Sequence, residues 1–280
     1  MTEQTTNQSS QGLWRLLEQC ARELARLIVP LACVGCAEPE HVLCPRCTGY
    51  FHDKPMRVED QVPYLDGVPI GVWACGLYAE PLNHVIMGWK DGRREDVGPS
   101  LIRIMTEATA QIAPDLLPVP EATGPLATVR FPVIGSEASE SSAFANVLVV
   151  PLPSSKASRR ARGFVPAQEL AKGVVSGLVG SLGAHARVSL GLGLAVGSKK
   201  RDQVGLDSRK RGVNLTGSIT ASTLLGKQSQ AASVIVLVDD LVTTGATMRE
   251  VLRVLPRQKG TLVAGMTLCV TPVRTKNELI

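Results

Sequence analysis

The stretch Ile235-Val-Leu-Val-Asp239-Asp240-Leu-Val-Thr243-Thr244-Gly245-Ala246-Thr247 decides how this chain reads. The residues from Val234 to Val238 are all apolar and form a buried strand that is expected to end in the two carboxylates. A loop of small and hydroxyl residues follows and runs into a helix expected to start near Thr247. That arrangement is an anion cradle: successive N–H groups point inward, the helix N-terminus carries about half a positive charge, and Thr hydroxyls donate further bonds. Gly245 and Ala246 leave room for the backbone to approach a phosphate. In open α/β sheets, ligands bind outside the carboxyl ends of the strands. Asp239 and Asp240 would be repelled by a phosphate beside them. They suit sugar hydroxyls, or an anion met through Mg²⁺. A ligand with both a phosphate and vicinal hydroxyls satisfies the whole stretch. An ordinary strand–turn–helix with Asp and Thr as caps is the plain alternative, and two adjacent acids before Thr-Thr-Gly-Ala-Thr fit it poorly. No Gly-Lys-[Ser/Thr] is present, so this is not a Walker loop.

Working outward, Val147–Val150 and Leu262–Val270 are further strands of the same apolar kind. Helical spacing marks 83–89, 97–112 and 168–178, with a turn at Asp91-Gly92. Val68–Tyr78 is rich in β-formers and reads as a strand pair or hairpin. Strands apolar on both faces, alternating with helices, predict an α/β fold: a parallel sheet covered by helices on both sides. The segment 118–146 holds Pro, Gly, Ser, Ala and Thr with little periodicity, and reads as an irregular insertion or flexible loop. Residues 1–30 form a polar tail followed by an amphipathic helix, with Leu13, Leu16, Leu17, Cys20, Leu24 and Leu27 at helical spacing, which Pro30 stops. The expected layout is therefore 1–30 as tail and helix, 31–60 as a small cysteine-bearing unit, and 66–280 as the main domain.

The chain has 280 residues, 44% hydrophobic and 20% charged, which excludes disorder throughout. Aromatics are only 4%, so the core must be built from Val, Leu, Ile and Ala. Lys+Arg 30 against Asp+Glu 25 gives a net charge of +5, which permits an anionic ligand or nucleic acid but demands neither. No run of about 20 apolar residues is present, so no membrane span is expected. The start of the chain lacks a secretory pattern, and the expected location is the cytoplasm.

Cys33-Val-Gly-Cys36 and Cys44-Pro-Arg-Cys47 are two CxxC pairs separated by seven residues. Two intervening residues bring a pair of sulfurs to one side, and four thiolates complete a tetrahedral Zn²⁺ shell. A redox dithiol or a disulfide pair is the alternative, but a redox CxxC comes alone at the start of a helix. His41 lies between the pairs as a further possible ligand. With every position filled by protein, such a zinc site is structural. A segment of about 30 residues cannot bury enough surface to fold alone, so metal would stabilise it. Cys20, Cys75 and Cys269 sit in apolar contexts and read as buried packing residues.

The bases cluster. Ser154-Ser-Lys156-Ala-Ser-Arg159-Arg160-Ala-Arg162-Gly-Phe164 follows a buried strand and precedes a helix, a second loop suited to an anion. Arg suits phosphate because its fork donates two bonds at once. A solvated basic face and a nucleic-acid patch are the alternatives; with only Phe164 interleaved, base stacking has little support. Lys199 to Arg211 is a second basic stretch, fit either to close over a polyphosphate or to track a DNA backbone. Lys90, ending an apolar helix, either reaches the ligand or is a plain surface lysine.

Taken together, these stretches resemble a known family. The 235–247 stretch is similar to the phosphoribosyl-pyrophosphate (PRPP) motif of type I phosphoribosyltransferases. With the Cys₄ segment upstream, the chain resembles the ComF family, competence-associated phosphoribosyltransferase-like proteins. Further matching stretches are Tyr78 with Ile86-Met-Gly-Trp-Lys90-Asp-Gly92, Val150-Pro-Leu-Pro153 through Phe164, and Gln203-Val-Gly-Leu206 through Arg211-Gly-Val-Asn214. The resemblance covers about residues 31 to 275. It implies a type I phosphoribosyltransferase-like sheet preceded by a zinc ribbon, and Mg²⁺-dependent phosphoribosyl transfer to a nitrogen base. It implies that Asp239 and Asp240 bind the ribose hydroxyls and that Thr243, Thr244, Gly245, Ala246 and Thr247 hold the 5′-phosphate. Ser154, Ser155 and Lys156 would hold pyrophosphate, with Arg159, Arg160 and Arg162 nearby, and 201–214, with Arg211, would form a hood. The family name also implies a role in DNA uptake, through single-stranded DNA or a competence helicase partner; a non-catalytic nucleotide-binding module is thus the second reading. One departure stands out. The family reads Arg-Gly-Phe-Asn-Gln where this chain has Arg162-Gly-Phe-Val-Pro-Ala-Gln168, which puts any role of that Asn–Gln pair in doubt.

Overall fold

The computed structural model describes residues 31–92, 94–116, 145–197 and 217–272. The expected first helix with Cys20, most of the 118–146 insertion and the basic segment 199–214 with Arg211 lie outside the described residues. Ala145 and Asn146, placed in the insertion by composition, instead open a strand.

Strands β1 (Met56–Arg57), β2 (Gly71–Leu77), β3 (Ala145–Pro151), β4 (Ala186–Leu190), β7 (Val234–Val242) and β8 (Leu262–Val270) form one sheet in the order β1-β2-β8-β7-β3-β4. All neighbours are parallel except β1, which is antiparallel to β2. β5 (Leu194–Val196) and β6 (Ile219–Ala221) make a separate antiparallel pair. The region 68–78 is therefore one strand, not a hairpin: β2 finds its antiparallel partner at 56–57 and its parallel partner in β8.

The helices are α1 (Pro45–Thr48), α2 (Leu82–Lys90), α3 (Gly98–Ile112), α4 (Lys156–Arg162), α5 (Pro166–Leu182), α6 (Thr223–Ala231) and α7 (Ala246–Val254). Val234, Val236 and Val238 of β7 pack in one apolar cluster with α2, α3 and α5. Ile235 and Leu237 pack in a second cluster with α6, α7 and the turns around Val62 and Leu65. Both faces of the strand are dry, which is why no polar alternation is visible in its sequence. α5 crosses α3 at Gly173 and Gly177, where an added Cβ would fall 2.5 Å from the carbonyl oxygens of Ile102 and Thr106. Those two glycines let the helices approach closely enough to cover one face of the sheet.

The order of strands sets the site. From β3 the chain passes through α4 and α5 to β4 on one side, while from β7 it passes through α7 to β8 on the other. β3 and β7 are adjacent, with Pro151 opposite Val238. Their exit loops therefore diverge at a topological switch point, where a ligand crevice is expected at the carboxyl edge of an open α/β sheet.

Candidate functional site

The acids Asp239 and Asp240 lie within β7, which runs on to Val242 instead of ending at Val238. β8 offers ladder partners that far: Asp239 lies opposite Thr267 and Leu241 opposite Cys269. Cross-strand pairing overrides the weak strand preference of Asp. Asp240 is only 6% exposed, and its Oδ2 lies 2.7 Å from Nζ of Lys90 at the end of α2. Asp239 is half-buried, and its Oδ1 accepts the Asp240 N–H at 2.9 Å. Burial, then the neighbouring Asp240 charge, pushes the Asp239 carboxyl well above the usual carboxylate range, with Lys90 pulling the other way.

Beyond Val242 the chain bends at Thr243–Gly245 and enters α7 at Ala246. Gly245 has φ +77°, and an added Cβ would lie 2.4 Å from Val62 Cγ1 and 2.8 Å from Leu65 Cγ. The glycine is thus required by handedness and by the packing beneath the loop; the space its missing Cβ leaves is taken by Val62 and Leu65, not kept for a phosphate. The Tyr64 N–H donates to the Thr244 carbonyl at 2.9 Å and ties the bend to the same turn. Thr243 is exposed, while Thr244, Ala246 and Thr247 are half-buried. No side chain caps α7, so the donors of its first turn are left for solvent or ligand.

On the other side of the crevice, residues 152–155 leave β3 and lead directly into α4, a seven-residue helix. The basic stretch is therefore helical from Lys156 rather than a continuous loop. Ser155 caps it by accepting the Ser158 N–H at 3.0 Å, and Gly163 ends it with φ +82°. Lys156, Arg159 and Arg160 are exposed and, among the described residues, make no ion pair. Arg162 differs: it turns back to Asp91, with Nη2 3.0 Å from Oδ1. Phe164 packs against Trp89, ring centroids 5.5 Å apart. The end of α2 thus touches both loops, Lys90 on Asp240 and Asp91 on Arg162.

Ser154, Lys156 and Arg159 line a shallow, open depression together with Gln168 and the run from Leu192 to Val196. Sequence reasoning missed that apolar wall. Its signal was the punctuation Gly191-Leu192-Gly193 after a short strand. Gln168, displaced along the sequence, is still brought beside Ser154 and Arg159 because α5 starts there.

The four cysteines converge. The Sγ atoms of Cys33, Cys36, Cys44 and Cys47 all lie within 4.8 Å of one another, and Cys36 and Cys44 are 3.5 Å apart. A tetrahedral Zn²⁺ with bonds of about 2.3 Å needs S···S edges of about 3.8 Å, so this donor set fits such an ion. All four are free thiols, as are Cys75 and Cys269, which are buried in the core. The Cys44 N–H donates to Cys33 Sγ at 3.3 Å, and the Cys47 N–H to Cys44 Sγ at 3.4 Å. Arg46 beside Cys36, and then the Glu38 N–H, hold the Cys36 thiol down to about 6, while burial pushes the Cys47 thiol up. His41 is exposed and is not among these clustered ligands.

Residues 160–279 match the phosphoribosyl transferase domain family. The match spans less than half of the chain. It begins within α4, takes in the β7 bend and α7, and leaves the cysteine unit and the Ser154 loop outside. No curated protein matches the chain. Fold and match agree: this is an α/β, phosphoribosyltransferase-like parallel sheet with helices on both faces, preceded by a four-cysteine cluster able to hold a metal such as zinc. Among the described residues no helix is long and apolar enough to cross a membrane.

Proposed function

We propose that this protein binds PRPP with Mg²⁺ in the crevice between β3 and β7 and transfers the phosphoribosyl group to a nitrogen base, in the manner of the ComF family it resembles. One observation carries the reading. The strand order sets a carboxylate pair and a cation-bearing helix start at the carboxyl ends of two adjacent parallel strands. A ribose diol would take Asp239 and Asp240, donating to their oxygens. The 5′-phosphate would take the uncapped first turn of α7 with Thr243, Thr244 and Thr247. Ser154, Ser155 and Lys156 would hold pyrophosphate, with Arg159 and Arg211 adding positive charge.

Mg²⁺, when bound, would screen the diphosphate and the acid pair from each other and stabilise the departing charge. In the reaction a nitrogen lone pair forms a bond to C1 as the C1–O bond to pyrophosphate breaks, and the bonding pair leaves with the oxygen. Lys156 and Arg159 would meet that growing charge, while the acids hold the ring by its hydroxyls. No nucleophilic side chain is required. Lys90 partly neutralises Asp240, which holds that carboxylate in place.

Calorimetry with PRPP and Mg²⁺, followed by a panel of bases assayed for pyrophosphate release, tests the reading. Binding that Asp239→Asn abolishes, with product from one base, is the expected result. Absence of PRPP binding overturns it. PRPP binding without turnover, together with single-stranded DNA binding that weakens steeply with salt, would favour the non-catalytic module serving DNA uptake.

A further inference from the structure

The cysteine unit is in direct contact with the helix that carries Lys90. Val34, between the first two cysteines, lies over Gly88 of α2: an added Cβ on Gly88 would fall 2.4 Å from Val34 Cγ2. Gly35 meets the same helix a turn earlier, where an added Cβ would be 2.8 Å from Cys47 Sγ and 3.0 Å from Val85 Cγ2. The Gly35 carbonyl lies 3.3 Å from His84 Nδ1. Leu82, Ile86 and Trp89 pack in the cluster beneath the sheet. α2 is therefore gripped from two directions, by the sheet and by the turn that also carries Cys33 and Cys36.

The grip ends where the site begins. Lys90 lies two residues past Gly88 and reaches Asp240 at 2.7 Å; Asp91 follows and reaches Arg162 at 3.0 Å. At about 1.5 Å of rise per residue, Lys90 sits only about 3 Å along the helix from Gly88, close enough for a displacement there to carry to it. A shift of about 1 Å would carry the Lys90–Asp240 contact beyond hydrogen-bond reach, and a misplacement of that size can cost about 100-fold in function. The two glycines bring the cysteine turn and the helix close together, with Val34, Val85 and His84 packed between them.

We propose that the four-cysteine unit is a positioning element of the sugar-phosphate site: it seats Val34 and Gly35 on α2 and thereby holds Lys90 against Asp240. The residues fit a metal there, and the metal's part is to make the 33–47 turn rigid. The proposal rests on the reading of the β3–β7 crevice as a PRPP site only for its effect on affinity.

The test uses the full chain with its metal, and the same chain stripped by a chelator under reducing conditions with metal content measured. Hydrogen exchange of the 82–92 peptide is the readout that needs no ligand. Stripping should speed it about tenfold while β7 and β8 peptides stay protected. PRPP affinity should fall about tenfold on stripping, and in Lys90→Ala the same stripping should change it less than about twofold. Unchanged exchange at 82–92 overturns the proposal, as does full metal sensitivity of affinity in Lys90→Ala. If stripping unfolds the whole chain, Val34→Ala at full metal content replaces it; faster exchange at 82–92 supports the proposal and unchanged exchange overturns it. Faster exchange at 82–92 in a protein that never binds PRPP upholds the coupling and removes the sugar-phosphate reading instead.

Discussion

The end of β7 and its bend are held by internal contacts, whereas the neighbouring loop, the start of α4 after β3, faces solvent with its charges unspent. In the first, Asp240 holds Lys90 at 2.7 Å, Gly245 is locked over Val62 and Leu65, and the Thr244 carbonyl is tied to Tyr64. In the second, Lys156 and Arg159 are exposed and pair with nothing among the described residues. The difference separates two tasks. A group that must recognise a small, fixed feature such as a diol is most effective when held in advance, at the cost of bringing two carboxylates partly out of water. Groups that meet a large mobile anion can wait in water, because Arg and Lys lose little by staying solvated until the charge arrives.

Four variants break or sharpen that contrast. Gly245→Ala should damage the β7 bend most, since it adds a positive-φ penalty to a collision with Val62; the loss should be about 2–5 kcal/mol in urea unfolding. Lys90→Ala should cost about 3 kcal/mol by the same measurement, because it leaves the Asp240 carboxylate buried without its partner. Arg159→Ala, on the other side of the crevice, should leave stability within about 0.5 kcal/mol and lower PRPP affinity about tenfold in calorimetry. A tenfold effect from Arg159 together with a large loss of stability would erase the distinction between the two loops.

The fourth concerns pH. The Asp239 proton is held more tightly in the folded protein than in the unfolded chain, which releases it near pH 3.9. Stability should therefore fall as pH rises from about 4 until Asp239 ionises in the folded state, and level off above that. Asp239→Asn removes this fall, so the variant should gain on the wild type as pH rises, read by urea unfolding between about pH 4 and about pH 8. Binding that needs the ionised acid should also release a proton, visible as calorimetric heats that depend on the buffer. The cysteine unit responds in the opposite direction: its thiols must lose protons to hold metal, and burial raises that demand at Cys47, so metal affinity should weaken steadily as pH falls.

Much of this was legible in the chain because the signals were short-range. The spacing of Cys33, Cys36, Cys44 and Cys47 already implied convergence, and β8 was bounded at Leu262–Val270 by its apolar run alone. β4, β5, β6 and α6 were not read, since each is short and two of them alternate or are half-exposed. The extension of β7 to Val242 was hidden for a different reason: only a long neighbouring strand makes Asp239 and Asp240 part of a ladder. The depression beside Ser154 depended on where α5 and β5 return in space.

By itself, the sequence determined the class of fold, the chemistry of the metal ligands and the kind of ligand the β7 bend suits, because periodicity, ligand spacing and residue type act over a few residues. Only the tertiary structure decided that Lys90 belongs to Asp240, that Arg162 turns to Asp91, and that the cysteine turn rests on Gly88. Those pairings join residues up to 150 positions apart, and strand order, set by burial of both faces of the sheet, is what brings them within a hydrogen bond's length.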